Sequence, residues 1–238
     1  MKKAIFLDRD GTLIRDQHYG CDPNAIDLLD GVVKGLKRLK DAGYLLVVAT
    51  NQSGVARAFF TEEQLQEMHH RLGKLLEQQG VQIDAFYYCP HHPEGVLPQY
   101  SFHCDCRKPR EGMVLKACAD FAIDPTASWF VGDILDDVEA GHRAGCRSIL
   151  LDLGTEAPPE TRERVPDFVA ADFEEAVCRI LTVSPLQPRR FVAPTMKAGS
   201  WSPRESAEPR FSHSRSLVSA PRRLGDTRTG RHGERSYG

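Results

Sequence analysis

Residues 4–12 read AIFLDRDGT: four apolar residues, two aspartates on either side of an arginine, then glycine and threonine. A dense apolar run without polar alternation is what a strand buried on both faces requires, and such strands belong to parallel sheets covered by helices. While the chain stays extended, residues two apart point the same way, so Asp8 and Asp10 are expected to face one space beyond a strand end. In open α/β sheets that is where ligands bind.

The same rhythm continues to residue 182. Further apolar runs stand at YLLVVAT (44–50), IDAFYY (83–88), SWFVG (128–132), SILLD (148–152) and DFVA (167–170). Between them the spacing predicts helices. Val32, Val33, Leu36 and Leu39 stop at Gly43, and Thr61 with Gln64 reads as a capping box before Leu65, Met68, Leu72, Leu75 and Leu76. Residues 113–121, 138–144 and 173–181 supply three more. Alternating strands and helices predict an α/β fold, a doubly wound (Rossmann-like), mostly parallel sheet with helices on both faces.

The chain has 238 residues, 41% of them apolar and 27% charged, an ordinary globular balance. MKKAIFLDRDG has too few apolar residues for a signal-peptide core, and no segment approaches membrane-spanning length, so a cytoplasmic protein is expected. The net charge of −2 conceals two unlike parts. Residues 185–238 hold eleven Arg or Lys against four Asp or Glu, a surplus of seven positive charges, leaving about nine negative ones for the remainder. That segment is also rich in Pro, Ser and Arg without apolar periodicity, so it reads as a disordered tail after a domain at 1–184. Its charge would suit nucleic acid, but it carries no RNA-binding motif, and it is read as a solvated extension.

Each apolar run is followed by polar residues: DRDGT after the first, TNQSG at 50–54, and DILDD at 133–137. Asp8, Asp10 and Asp133 brought together would raise one another's pKa unless a cation lay between them, and hard oxygen ligands suit Mg²⁺. A Mg²⁺ with open positions suits a phosphate. Thr50, Asn51, Ser53 and Gly54 offer hydroxyl, amide and N–H donors, Lys108 a point charge and Arg107 a fork. Asp136 and Asp137 either support the metal or cap the following helix.

The set DRDGT, TNQSG, RKP at 107–109 and GDILDD at 132–137 resembles the four signature motifs of the haloacid dehalogenase superfamily of phosphatases, over residues 4 to about 182. The resemblance implies that Asp8 is the nucleophile that forms an aspartyl-phosphate and that Asp10 is the acid and base. Thr50 and Lys108 would hold the phosphoryl oxygens. Mg²⁺ would sit on the Asp8 carboxylate, the Asp10 carbonyl and Asp133.

Residues 89–106, CPHHPEGVLPQYSFHCDC, hold three of the seven cysteines and three of the nine histidines. In a reducing compartment these read as metal ligands rather than disulfides. Cys89, His91, Cys104 and Cys106 make a C-x-H-x12-C-x-C array, a complete tetrahedral shell for a structural Zn²⁺, with His92 and His103 as alternatives to His91. Cys21, Cys118, Cys146 and Cys178 read as core or incidental residues.

A zinc loop of this spacing before RKP is similar to the family of D-glycero-D-manno-heptose-1,7-bisphosphate 7-phosphatases, of bacterial surface-glycan (lipopolysaccharide) heptose synthesis. That likeness implies removal of the C7 phosphate from a heptose bisphosphate. It implies a substrate pocket of Asp16, Gln17, His18, Tyr19, Thr50, Asn51, Gln52, Ser53, Arg107 and Lys108. Histidinol-phosphate phosphatases, with a shorter zinc loop, or other small phosphomonoester phosphatases are the alternative within the superfamily, and a zinc-stabilised binding module with a nucleic-acid-binding basic tail is the alternative outside it. Ile134 stands where the heptose enzymes carry a lysine. The insertion is small and the motifs complete, which suggests a monomer.

Overall fold

The structure, a computed structural model, describes residues 1–16 and 20–183. The tail 185–238 and the pocket positions Gln17, His18 and Tyr19 lie outside the described residues, and with them the nucleic-acid reading.

Six strands form one sheet: β1 (Ala4–Leu7), β2 (Leu45–Asn51), β3 (Ala85–Cys89), β4 (Trp129–Gly132), β5 (Arg147–Leu151) and β6 (Phe168–Ala170). Their order is β3-β2-β1-β4-β5-β6, and every pairing is parallel. Each of the six apolar runs is therefore a strand, with ends displaced by at most two residues. Five helices connect or follow them: α1 (Val32–Asp41), α2 (Glu62–Gln78), α3 (Gly112–Phe121), α4 (Leu135–Ala144) and α5 (Phe173–Thr182).

Strand alternation decides which helix covers which face. Ile5 and Leu7 point into one core layer with Leu36 of α1, Met68 of α2 and Val177 of α5. Ala4 and Phe6 point the other way, against Met113 and Ala117 of α3 and Ala144 at the end of α4. Both layers exclude water around the central strands β1 and β4, whose residues are all buried, which is why those two sequences carry no charged residue.

Local chemistry sets the helix ends. Gln64 N–H donates to the Thr61 hydroxyl at 3.2 Å and Thr61 N–H to the Gln64 side-chain oxygen at 2.9 Å, the reciprocal pair expected from the spacing. Helix α4 starts at Leu135, three residues before the apolar spacing suggests. Its first turn is held by polar groups: Asp137 accepts from Ile134 N–H at 3.3 Å, and Glu156 accepts from Leu135 N–H at 3.0 Å. No helix among the described residues is long and apolar enough to cross a membrane.

The strand order reverses at β1, whose neighbours lead away to β2 on one side and β4 on the other. The carboxyl ends of β1, β2 and β4 therefore open a crevice at that switch point.

Candidate active site

The β1 end delivers Asp8, hydrogen-bonded through its own N–H to the Val131 carbonyl of β4 at 3.0 Å. Two strands thus fix the backbone of that aspartate. The β4 end delivers Asp133 one residue past Gly132. Carboxylate oxygens of Asp8, Asp133 and Asp137 all lie within 4.8 Å of one another.

Lys108 reaches this cluster from the loop before α3, and it is fully buried. Its ammonium has three partners: Asp8 at 2.8 Å, Asp137 at 2.5 Å and the Ala49 carbonyl at 2.9 Å. The Asn51 side chain clamps it there, donating to the Lys108 carbonyl and accepting from the Lys108 N–H, both at 3.0 Å. Burial works against the lysine's charge, yet Asp137 and Asp8 hold its pKa above the ordinary value.

Three carboxylates against one ammonium leave a negative surplus in a closed space. Burial, then the repulsion of Asp8 and Asp137, pushes Asp133 up to about 8. Burial likewise lifts Asp137 to about 7, against the pull of Lys108. Hard oxygen donors at this spacing, each strained by the others' charge, fit a divalent cation such as Mg²⁺. Asp8 and Asp133, with Asp137 beside them, are the residues that would hold it.

Asp10 is turned to different company. Arg9 clasps its carboxylate through Nη2 at 2.9 Å and Nε at 3.1 Å, and the Gln52 amide donates to it at 2.8 Å. The same Gln52 amide donates to the Thr50 hydroxyl at 3.0 Å, and its oxygen accepts from Arg9 at 3.0 Å. Arg9 in turn lies 3.4 Å from His69 of α2. Burial raises the Asp10 pKa, opposed by Arg9 and reinforced by Asp8.

A cleft of about 330 Å³ opens above these groups. Asp8, Asp10, Asp16, Asn51, Gln52, Ser53, Arg107, Lys108 and Asp133 all line it, so every described pocket residue expected from the sequence except Thr50 reaches one space. Thr50 is buried beneath, 1% exposed, with its hydroxyl on Gln52. Ile134, at the position where the heptose enzymes carry a lysine, lines the cleft and is half-buried.

The cysteine loop closes at the end of β3. Cys89 Sγ stands 3.5 Å from Cys104 Sγ and 3.6 Å from His91 Nδ1, while Cys106 Sγ stands 3.2 Å from Cys104 Sγ and 3.3 Å from His91 Nδ1. Tetrahedral Zn–S bonds of about 2.3 Å place sulfurs about 3.8 Å apart, so the four donors fit that ion with a small expansion. His92 is engaged with Arg57 at 3.2 Å and His103 is exposed, which selects His91 among the three histidines. A hydrogen bond with Cys89, aided by Cys104 and His91, pushes Cys106 down to about 5; hydrogen bonding and burial push Cys89 up, and burial raises Cys104.

This loop is tied to the cleft at both ends. Gln52 N–H donates to the Cys89 carbonyl at 2.8 Å, and Arg107 and Lys108 follow Cys106 directly. Of the remaining cysteines, Cys146 is buried, Cys21 and Cys118 are half-buried and Cys178 is exposed.

Sequence reading missed Arg9 and left Asp137 between two roles. Arg9, 1% exposed, clasps Asp10 and lines the cleft beside it; β1 ends at Leu7, so the strand period used to align Asp8 and Asp10 gave no signal for it. Asp137 does not choose between helix end and site, because one oxygen accepts from Ile134 N–H while the other pairs with Lys108.

Comparison with known proteins agrees with this geometry. The HAD-hydrolase-like family model matches residues 105–176. The D-glycero-beta-D-manno-heptose-1,7-bisphosphate 7-phosphatase of Haemophilus ducreyi is 46% identical over 71% of this chain and 92% of its own length. The enzyme of the same name from Escherichia coli K12 is 41% identical over 73% of this chain and 93% of its own. Among solved structures, D,D-heptose 1,7-bisphosphate phosphatase from B. bronchiseptica, complexed with magnesium and phosphate, superposes with a TM-score of 0.64 at 32% identity, covering 75% of this chain and 98% of that one.

Proposed function

From the premise that the chain belongs to the haloacid dehalogenase-like phosphatases, in the family of the D-glycero-beta-D-manno-heptose-1,7-bisphosphate 7-phosphatases, we propose that it removes the C7 phosphate of that heptose bisphosphate. It is a phosphoric monoester hydrolase of nucleotide-activated heptose synthesis, and the proposal concerns its substrate, its steps and its metals. The observation that carries it is the meeting of Asp8, Asp133 and Lys108 at one strand switch point under a polar cleft.

In the proposed reaction an Asp8 carboxylate oxygen attacks phosphorus as the bond to the sugar oxygen breaks. Asp10, whose raised pKa favours the protonated form, gives its proton to the departing alkoxide. It then takes a proton from the water that attacks the phosphorylated Asp8, releasing phosphate and restoring both acids. Gln52 and Arg9 hold the Asp10 carboxyl in place between the two steps. Lys108 offsets the repulsion between an anionic nucleophile and an anionic phosphate. Thr50, beneath the cleft, is assigned to the phosphoryl oxygens; its hydroxyl would turn from Gln52 to serve there.

Mg²⁺ on Asp8, Asp133 and the Asp10 carbonyl would supply Lewis-acid polarisation of the phosphoryl group. Zn²⁺ on Cys89, His91, Cys104 and Cys106 has no open position and is assigned a structural role. Asp16, Asn51, Ser53 and Arg107 are assigned to the substrate, and the family likeness assigns Gln17, His18 and Tyr19 to it as well. Three thiols and an imidazole set out for zinc suit a reducing cytoplasm, and because the described site comes from one chain, a monomer suffices.

The test is phosphate release from the α and β anomers of the heptose bisphosphate, run beside histidinol phosphate, with metal analysis of the same sample. Faster turnover of histidinol phosphate would reverse the substrate assignment in favour of that alternative.

A further inference from the structure

Beside the catalytic cleft lies a second one of about 470 Å³, within the range that holds small ligands. The two share Arg107, Lys108 and Asp136 in their walls, so they are parts of one groove. The other basic groups of the second cleft are Arg110, Arg143 and His103, and Pro93 and Phe102 give it an apolar side. Lys108 is occupied by Asp8 and Asp137, and Asp136 is paired with Arg164 at 2.5 Å. The walls carry four cationic side chains, Arg107, Lys108, Arg110 and Arg143, against the single carboxylate of Asp136, so the sign of this space is positive.

Arg110 donates through Nη1 to the Cys104 carbonyl at 2.5 Å, with Asp105 3.5 Å away, and Arg143 meets Glu139 through Nη2 at 2.5 Å. Both side chains stay about two-fifths exposed, 43% and 44%. A guanidinium carries five donors in a planar fork, so each retains N–H groups for an anion with several oxygens. The groove thus has two cationic stations. One is the buried Lys108 with its metal-fitting carboxylates, and the other is an open arginine cleft that a single phosphate at the first station would leave empty.

We propose that Arg110 and Arg143 are specificity residues which, with Arg107, hold the phosphate that the reaction leaves in place. The inference rests on the reading above that the substrate carries two phosphates. It adds two residues to that reading and makes the preference for bisphosphates a property of the second cleft. Cys104 belongs to both the cysteine cage and this cleft, so the folded zinc loop also shapes the wall that selects substrate.

The experiment measures kcat and KM of the wild type, Arg110→Gln, Arg143→Gln and the double variant on heptose 1,7-bisphosphate, heptose 7-phosphate, fructose 1,6-bisphosphate and fructose 6-phosphate. The wild type should favour each bisphosphate over its monophosphate. Each single variant should lose about 10-fold of that preference, mostly through KM, as the loss of a charge-assisted contact in a half-exposed cleft implies. Arg110→Lys and Arg143→Lys should recover part of it. A wild type without the preference, a preference that survives in the double variant, or equal losses on both substrates of a pair would each overturn the proposal. Failure to hydrolyse the heptose bisphosphate alone would instead overturn the substrate assignment, since the fructose pair still reads the cleft.

Discussion

Gly11 and Asp133 lie 122 positions apart in sequence and share one volume: a Cβ built on Gly11 would overlap the Asp133 carboxylate. Gly11 also adopts φ +74°, a conformation that costs L residues with side chains about 1–2 kcal/mol. The glycine of DRDG is therefore both the turn after β1 and the space that lets the acid from β4 meet Asp8.

Gly11→Ala should consequently damage the metal site as well as the fold. The expected result is a loss of about 1–2 kcal/mol of stability from the backbone alone, together with a weaker Mg²⁺ requirement curve shifted to higher concentration. Turnover restored to wild-type levels at the ordinary Mg²⁺ concentration would show that Asp133 is not a ligand.

Asp8→Asn keeps the shape of the side chain and removes the nucleophile. Phosphate release should fall by on the order of 10³-fold or more, with an unchanged circular dichroism spectrum and retained zinc. Substantial activity in this variant would exclude the aspartyl-phosphate route.

Lys108→Met leaves Asp8 and the wholly buried Asp137 without their cation. Breaking a buried pair from one side costs about 3–5 kcal/mol, so the midpoint of denaturant unfolding should drop sharply. Adding Asp137→Asn should recover part of that loss, and a double variant no more stable than the single one would show that the pair is not coupled.

Cys106→Ser should release zinc and lower the melting temperature before it lowers kcat on a monophosphate, because the cage holds a loop rather than a reacting atom. Wild-type protein purified without zinc, and melting at the same temperature as this variant, would remove the cage from the account.

His69 is 5% exposed, stacked on Phe86 with ring centroids 5.1 Å apart. Burial, then the neighbouring Arg9, lowers its pKa to about 3. Because the unfolded chain binds this proton more readily, folding stability should decline as pH falls from about 6.5 toward 3, by up to about 3 kcal/mol at pH 4 from this group. His69→Phe should flatten the acid limb of a stability-versus-pH curve, and an unchanged slope would show that His69 is not the group responsible.

The site was legible in sequence to the extent that it is made of strand ends. AIFL, YLLVVAT and SWFVG announce themselves by apolar density, and the residue after such a run has only one place to go, so Asp8, Asn51 and Asp133 could be placed in one crevice. The cysteine array was legible because thiolate and imidazole ligands have few other uses at that spacing. The double duty of Asp137, the arginine under Asp10 and the second basic cleft were not.

What the sequence determined by itself was therefore local and periodic: strand and helix identity, the capping box at Thr61, the position of the acids after β1 and β4, and the composition of the Cys/His cluster. Only the tertiary structure decided which cations meet which acids. Lys108 faces Asp137 because the loop before α3 is clamped by Asn51, and Arg143 joins Arg107 because α4 and the zinc loop border the same groove. Charge pairing depends on distances through space, and those distances are set by how helices and loops pack on the sheet, which no spacing along the chain encodes.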